Sequence, residues 1–348
     1  MEDYIIQAFI QILNTSYQAV IAVIAILLAR ALMQRMHVPP KYICILWYIP
    51  LLRLLPFHLH SIFSLFPGPV DPVPESLPLM EQPQINTNIA MVDRIVNQSL
   101  PAPTLGASIN PLQILLPLFG SLWLLGMAAC LLYGVVSVFR LRYRLRASVC
   151  QEGDLYLTDG LPTAFVLGIF RPRIYLPSGI AEKEKGYVAC HERQHIRRKD
   201  HIFKAAFFLA SSICWFHPLL WVAYALAGRD IEAACDEAVA EGLSEEQRKE
   251  YAAALLSLAV PGKRPFAAPL GFSEGSLKKR VWQIVHYERP ERLAGILGIA
   301  VVLCLGVGLL TDPLGMGAGL PEDGIEKGTD MPVSEGGTAA ERESMPGS

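Results

Sequence analysis

The stretch AAFFLASSICWFHPLLWVAYALAG, residues 205–228, holds 24 positions without a formal charge. As one helix it would be about 36 Å long, enough to cross the ~30 Å hydrocarbon core of a bilayer. His217-Pro218 splits it. Proline lacks a backbone N–H and clashes with the preceding turn, so a helix breaks or restarts there. Each half is then only about 16 Å long and cannot span alone. Read as a crossing, the stretch gives the chain five spans. Read as a re-entrant or interface-buried hairpin, it gives four. The sequence on either side decides between the two.

The rest of the chain is also that of a membrane protein. Of its 348 residues, 52% are hydrophobic and 18% charged, and mean hydropathy is +0.34. Soluble domains carry about 25% charged residues. Residues 4–29 are uncharged and form a first span, with Gln7, Gln11, Asn14 and Gln18 at helical spacing on one face. Such polar groups usually serve as contacts between membrane helices. Residues 42–66 read as a second span, interrupted by Arg53, His58 and His60 and kinked by Pro50 and Pro56. Arg53 would snorkel or pair within the bundle. Residues 112–139 and 293–311 are the third and fourth spans. Between them, residues 140–292 have the composition of a water-facing domain. Residues 67–111, with nine prolines, read as an irregular loop. The tail, 312–348, has eight acidic and two basic residues and no aromatic residue, and reads as disordered.

Basic residues flank these spans on one side only. Arg30, Arg35 and Lys41 follow the first; Arg140, Arg142, Arg144 and Arg146 follow the third; Lys278, Lys279, Arg280, Arg289 and Arg292 precede the last. The positive-inside rule makes all three clusters cytoplasmic. The acidic N-terminus, the 67–111 loop and the tail then lie outside. Four spans satisfy this and a fifth breaks the parity, so 205–228 is expected to turn back. Seven scattered cysteines with no CxxC pair argue against a disulfide framework. A net charge of −2 gives no basic field for nucleic acid. The N-terminus has no basic n-region and reads as a retained membrane helix.

Within 140–292, residues 154–159 alternate as a strand with Leu155 and Leu157 on one face, and 163–170 with 173–176 form a strand pair around Arg171-Pro172. A helix with His191-Glu192-Arg193-Gln194-His195 follows. In this HExxH pattern the histidines lie one turn apart on one face, where they can bind one metal ion. Glu192 lies beside them and can take a proton from water. A catalytic zinc takes three protein ligands and keeps one position open. Downstream, Glu232 and Asp236 are again one helical turn apart. Glu232 suits the third ligand, and Asp236 suits the acceptor that fixes a ligand histidine's tautomer. Cys235 is the other candidate ligand. Glu232 can reach His191 only if 205–228 returns to the side it left, so metal chemistry and charge give the same topology.

The chain resembles the BlaR/MecR-type integral membrane metallopeptidases, the antirepressor peptidases of bacterial antibiotic sensing. The matching stretches are TAFVLGIFRPRIYLP (163–177), HERQHIRRKDH (191–201), WFHPLLW (215–221) and EAACDEAV (232–239), with YAAALL (251–256) and LKKRVWQI (277–284). The resemblance implies a gluzincin-type zinc peptidase of the bacterial cell membrane. His191, His195 and Glu232 would be ligands and Glu192 the base. Thr163, Ala164, Phe165, Val166, Leu167 and Gly168 would be an edge strand holding substrate in extended form. It also implies regulated proteolysis of the chain itself or of a cytoplasmic winged-helix repressor.

The expected architecture is therefore mainly α and polytopic: four transmembrane helices with a cytoplasmic α+β metallopeptidase domain, membrane lipid around it, a protein substrate, and no direct nucleic-acid binding. Homodimerisation is compatible with the sequence. The alternatives are a catalytically silent receptor or scaffold of the same fold, a general quality-control protease, and a metal transporter. A transporter would need many paired charges inside the membrane. The best-known members of the family the chain resembles carry a penicillin-binding domain after the last span, where here 37 residues follow Thr311. The only SxxK match, Ser276 to Lys279, stands without SDN or KTG elements. Direct acylation by a β-lactam is accordingly not expected.

Overall fold

The computed structural model describes residues 2–55, 59–61, 63–65, 71–80, 82–101, 110–258 and 274–313. Among the described residues, three helices are long and apolar enough to cross a membrane: α1 (Glu2–Arg35), α5 (Pro111–Arg144) and α11 (Arg292–Leu310). Their outer faces carry exposed large apolar side chains, among them Leu28, Leu118, Leu125, Leu132, Ile296 and Leu303. In water such faces would be costly, whereas in lipid they are solvated.

The second apolar segment, 42–66, is not one helix. It forms α2 (Pro40–Leu46) and α3 (Tyr48–Arg53), then a three-residue strand β1 (Leu59–Ser61). The reason lies in Pro50. It has no N–H for the carbonyl of Leu46, so the helix parts at Trp47. Together α2 and α3 rise about 21 Å, and further along the chain the Leu65 N–H donates to the Gly308 carbonyl near the end of α11. Arg53 at the end of α3 is buried and paired with buried Asp312. Asp312 belongs to β6 (Thr311–Pro313), which pairs in parallel with β1. The last helix is thereby tied to α3. Residues 56–58 and most of the tail lie outside the described residues, and so does most of the reading made of that tail.

The 67–111 segment has local structure where described. Helix α4 (Ala90–Ser99) follows an irregular run, and the run packs on α1 and α5. Asn14 exchanges hydrogen bonds with the backbone of Val73, and Tyr17 donates to the carbonyl of Thr87. The polar stripe of α1 thus serves partly as expected. Asn14 and Gln18 are buried while Gln7 and Gln11 are exposed, and the partner of Asn14 is a loop rather than a helix.

The segment that decides the topology is a hairpin. Helix α7 (Asp200–Ile213) ends before the break, and α8 (Pro218–Ala240) begins with proline at its first position. There the missing N–H costs nothing. Two indoles satisfy carbonyls at the bend, and a third ties the bend to α5. Trp123 of α5 donates to the carbonyl of Ile213, Trp215 to that of Trp123, and Trp221 to that of Trp215. His217 at the tip reaches the hydroxyl of Ser16. Midway along its length α8 is anchored through buried Asp230. Arg30 grips this carboxylate through two nitrogens at 2.7 and 2.8 Å, and the Trp47 indole donates at 2.8 Å.

The remaining elements form a small α+β unit. Strands β2 (Val149–Glu152), β3 (Leu155–Thr158), β4 (Phe165–Leu167) and β5 (Arg173–Pro177) form one sheet in the order β2-β3-β5-β4. The predicted pair is present as β4 antiparallel to β5, so β4 is an edge. Gly168 ends it with a φ of +116°, and a side chain there would strike the Arg171 carbonyl. Helix α6 (Glu182–Arg198) packs on this sheet through Val188 and Ala189, which join Ile174 and Leu176 in a core. Helices α9 (Glu245–Leu258) and α10 (Glu274–Val285) close the unit around Tyr251 and Ile284.

Candidate metal centre

Helix α6 presents His191 and His195 on one face with their rings edge to face, 4.8 Å between centroids. Both are buried, as is Glu192. The helix stops one turn later because Lys199 adopts a left-handed conformation, φ 60° and ψ 29°. That reversal starts α7 at once and brings Asp200 back under His195. The His195 Nδ1–H donates to Asp200 at 2.8 Å. His191 is held in the same sense from another element. Tyr251 of α9 donates to Asp236 at 2.7 Å, leaving its oxygen, 2.7 Å away, to accept from His191 Nδ1. Asp236 itself lies 3.2 Å from that nitrogen. These bonds assign the Nδ1–H tautomer to both rings and leave each Nε2 with a lone pair, that of His191 lying 3.4 Å from Arg280 Nη2.

The two Nε2 atoms converge on Glu232. Its carboxylate oxygens stand 3.4 Å from His191 Nε2 and 3.5 Å from His195 Nε2. Cys235, one turn further along α8, also belongs to the cluster. One ligand atom from each of His191, His195 and Cys235 lies within 4.8 Å of the others. The thiol, however, is fully buried and donates to the backbone carbonyl of His191 at 3.3 Å. The thiol thus stands beside the same two rings that Glu232 approaches through their Nε2 atoms. Asp236 lies near His191 Nδ1 and accepts from Tyr251.

Charges around this group are closely matched. Arg280 of α10 donates to Asp236 through Nε at 2.7 Å and Nη2 at 3.0 Å, and its Nη1 stands 3.3 Å from Glu232. Lys204 of α7 donates to the other oxygen of Glu232 at 3.1 Å. Burial alone would raise the Asp236 pKa, but Arg280 and His191 hold it down at about 2. Glu232 is likewise held well below its ordinary value against the cost of burial, by the ammonium of Lys204 and the guanidinium of Arg280. Both carboxylates are therefore ionised at neutral pH. Two imidazole lone pairs and a carboxylate, each backed by a fixed partner, are the donors that zinc takes in sites with an open position.

The sequence reading missed Asp200, Lys204, Tyr251 and Arg280. Asp200 and Tyr251 stand in stretches matched to the family, but no spacing rule assigns them a role. Lys204 is a lone cation at the start of an apolar run, and Arg280 stands in a cluster that reads as topology rather than chemistry.

These features define a membrane protein with a metallopeptidase-like centre built on a helix of HExxH pattern. The chain belongs to the BlaR1 peptidase M56 family, whose profile matches residues 10–284. It is 26% identical over 227 residues to the methicillin resistance mecR1 protein of Staphylococcus aureus and, at the same level, to that of Staphylococcus epidermidis. These matches cover 56% of this chain and 38% of the relative. It is 24% identical over 202 residues to the regulatory protein BlaR1 of Bacillus licheniformis, covering 50% of this chain and 34% of that protein. The chain thus matches well under half the length of these curated relatives.

Proposed function

We propose that this chain is a zinc-dependent membrane endopeptidase that relays a signal by cutting itself or a cytoplasmic winged-helix repressor. The observation that carries the reading is the meeting of both imidazole Nε2 atoms at the Glu232 carboxylate, with Glu192 on the same helix. In this reading His191, His195 and Glu232 hold the metal. Zinc supplies Lewis acidity, polarising the scissile carbonyl and lowering the pKa of water to about 7. Glu192 takes the proton of the attacking water and passes it to the leaving nitrogen. Asp200, Tyr251 and Asp236 keep the rings in the tautomer this requires. The substrate lies along β4, whose outer edge offers unpaired backbone groups for an added strand. The similarity to a regulatory protein and a resistance protein supports the signalling role.

Metal removal tests the enzymatic part. Dialysis of the detergent-solubilised chain against a chelator should abolish cleavage of an unfolded protein such as casein, and zinc should restore it. Cleavage that survives chelation would end the metallopeptidase reading.

The hairpin is read as re-entrant, with the α6–α10 unit cytoplasmic and the N-terminus and tail outside. Its arms, 200–213 and 218–230, are each about 20 Å long. Both start from the level of Arg30, which the positive-inside rule places at the cytoplasmic face. The indole bonds at the bend meet the requirement that backbone at membrane depth be satisfied by protein. Single-cysteine probes at 80 and 335 should react with an impermeant reagent applied from outside, and probes at 150, 245 and 285 should not. Outside labelling at 245 would make the segment a true crossing.

A further inference from the structure

A peptidase of this kind needs a cation or donor facing the carbonyl oxygen as it gains charge, and the centre offers three polar groups besides its ligands and base. Tyr251 is fully buried, with its hydroxyl spent between His191 and Asp236. Arg280 is committed through two nitrogens to Asp236. Arg280 also reaches the Nε2 side, its Nη2 3.4 Å from His191 Nε2 and its Nη1 3.3 Å from Glu232. Lys204 is more exposed than either and is not bound to an orienting carboxylate. It stands one turn after Asp200 on α7, and its ammonium meets the Glu232 oxygen opposite the one nearest Arg280. One of its three N–H donors is used there, and a third of the side chain is exposed. Glu192 and Asp200 lie close enough to act on its charge. Lys204 thus stands between the proposed ligand, the proposed base and solvent.

We infer that Lys204 is a catalytic residue, whose ammonium donates to the oxyanion of the tetrahedral adduct. This rests on the peptidase reading above. In the step, water oxygen bonds to the carbonyl carbon and the C=O π pair moves onto the carbonyl oxygen. The water proton goes to Glu192. One negative charge therefore moves from the Glu192 carboxylate to the substrate oxygen. When the adduct collapses, the C–N bond breaks, the pair returns to C=O, and the proton passes from Glu192 to the leaving nitrogen. Lys204 stays protonated throughout. Because the substrate oxygen carries full charge only in the adduct, the interaction acts on the transition state rather than on binding.

The test uses the full chain in nanodiscs with cobalt in place of zinc, inorganic phosphate as a tetrahedral anion read through the cobalt spectrum, and casein as substrate. Lys204→Met should keep stoichiometric metal. It should lower kcat by about 100-fold or more with little change in KM. It should also weaken phosphate about tenfold, the loss expected of one charge-assisted hydrogen bond. Lys204→Arg, which keeps the charge, should recover part of the phosphate affinity. Loss of metal in Lys204→Met alone would make the residue a holder of Glu232 and overturn the proposal. Unchanged kcat and phosphate affinity would overturn it equally. If the unmutated chain cuts nothing while phosphate affinity still depends on Lys204, the anion site stands and the peptidase reading falls.

Discussion

Replacing Glu192 by Gln is expected to leave the metal stoichiometric and to lower peptide cleavage by about 100- to 10,000-fold, the usual contribution of a general base. The substitution is nearly isosteric. Its amide fills the same buried position on α6 and disturbs none of the three proposed ligands. What is lost is the capacity to accept a proton. Metal content and cleavage should therefore separate, with the first unchanged and the second collapsed. Undiminished cleavage would remove Glu192 from the mechanism. A parallel loss of metal would make it a structural or ligating group. Either result would leave the reading of the HExxH helix without its base.

How much of this was legible in the sequence follows from the reach of each signal. The HExxH helix and the Glu232–Asp236 pair could be read because one helical turn fixes which residues share a face. The hairpin could be read because Pro218 interrupts an uncharged run, and the structure puts that proline at the first position of α8. The break in 42–66 could be read at Pro50, which leaves the Leu46 carbonyl without a helical partner, while the pairing of β1 with β6 could not, because it joins distant parts of the chain. Asp200, Tyr251 and Arg280 could not be assigned because each reaches the histidines through tertiary packing. Asp200 arrives by the left-handed turn at Lys199, Tyr251 by the docking of α9, and Arg280 by the docking of α10. A basic residue before a membrane helix reads as a topology signal, which concealed that Arg280 faces inward while Lys278 and Lys279 are exposed.

The identity of the third ligand separates an open centre from a closed one. Glu232→Ala is expected to lose stoichiometric zinc, while Cys235→Ala keeps it. Both residues lie on α8 one turn apart, and both are buried. The carboxylate faces the two Nε2 lone pairs at 3.4 and 3.5 Å and carries full charge. The thiol already has an acceptor in the His191 carbonyl. Removing Cys235 should cost about 1 kcal/mol or a little more for a small buried cavity, read as a modest fall in Tm. Removing Glu232 should leave Lys204 and Arg280 facing the metal position without the charge that balances them, which opposes a dication directly. Retention of zinc in Glu232→Ala with loss in Cys235→Ala would transfer the ligand role to the thiol. Loss in both would mean four protein ligands and no open position, the arrangement of a structural zinc site. That centre could not admit a substrate carbonyl, and the peptidase reading would not survive it.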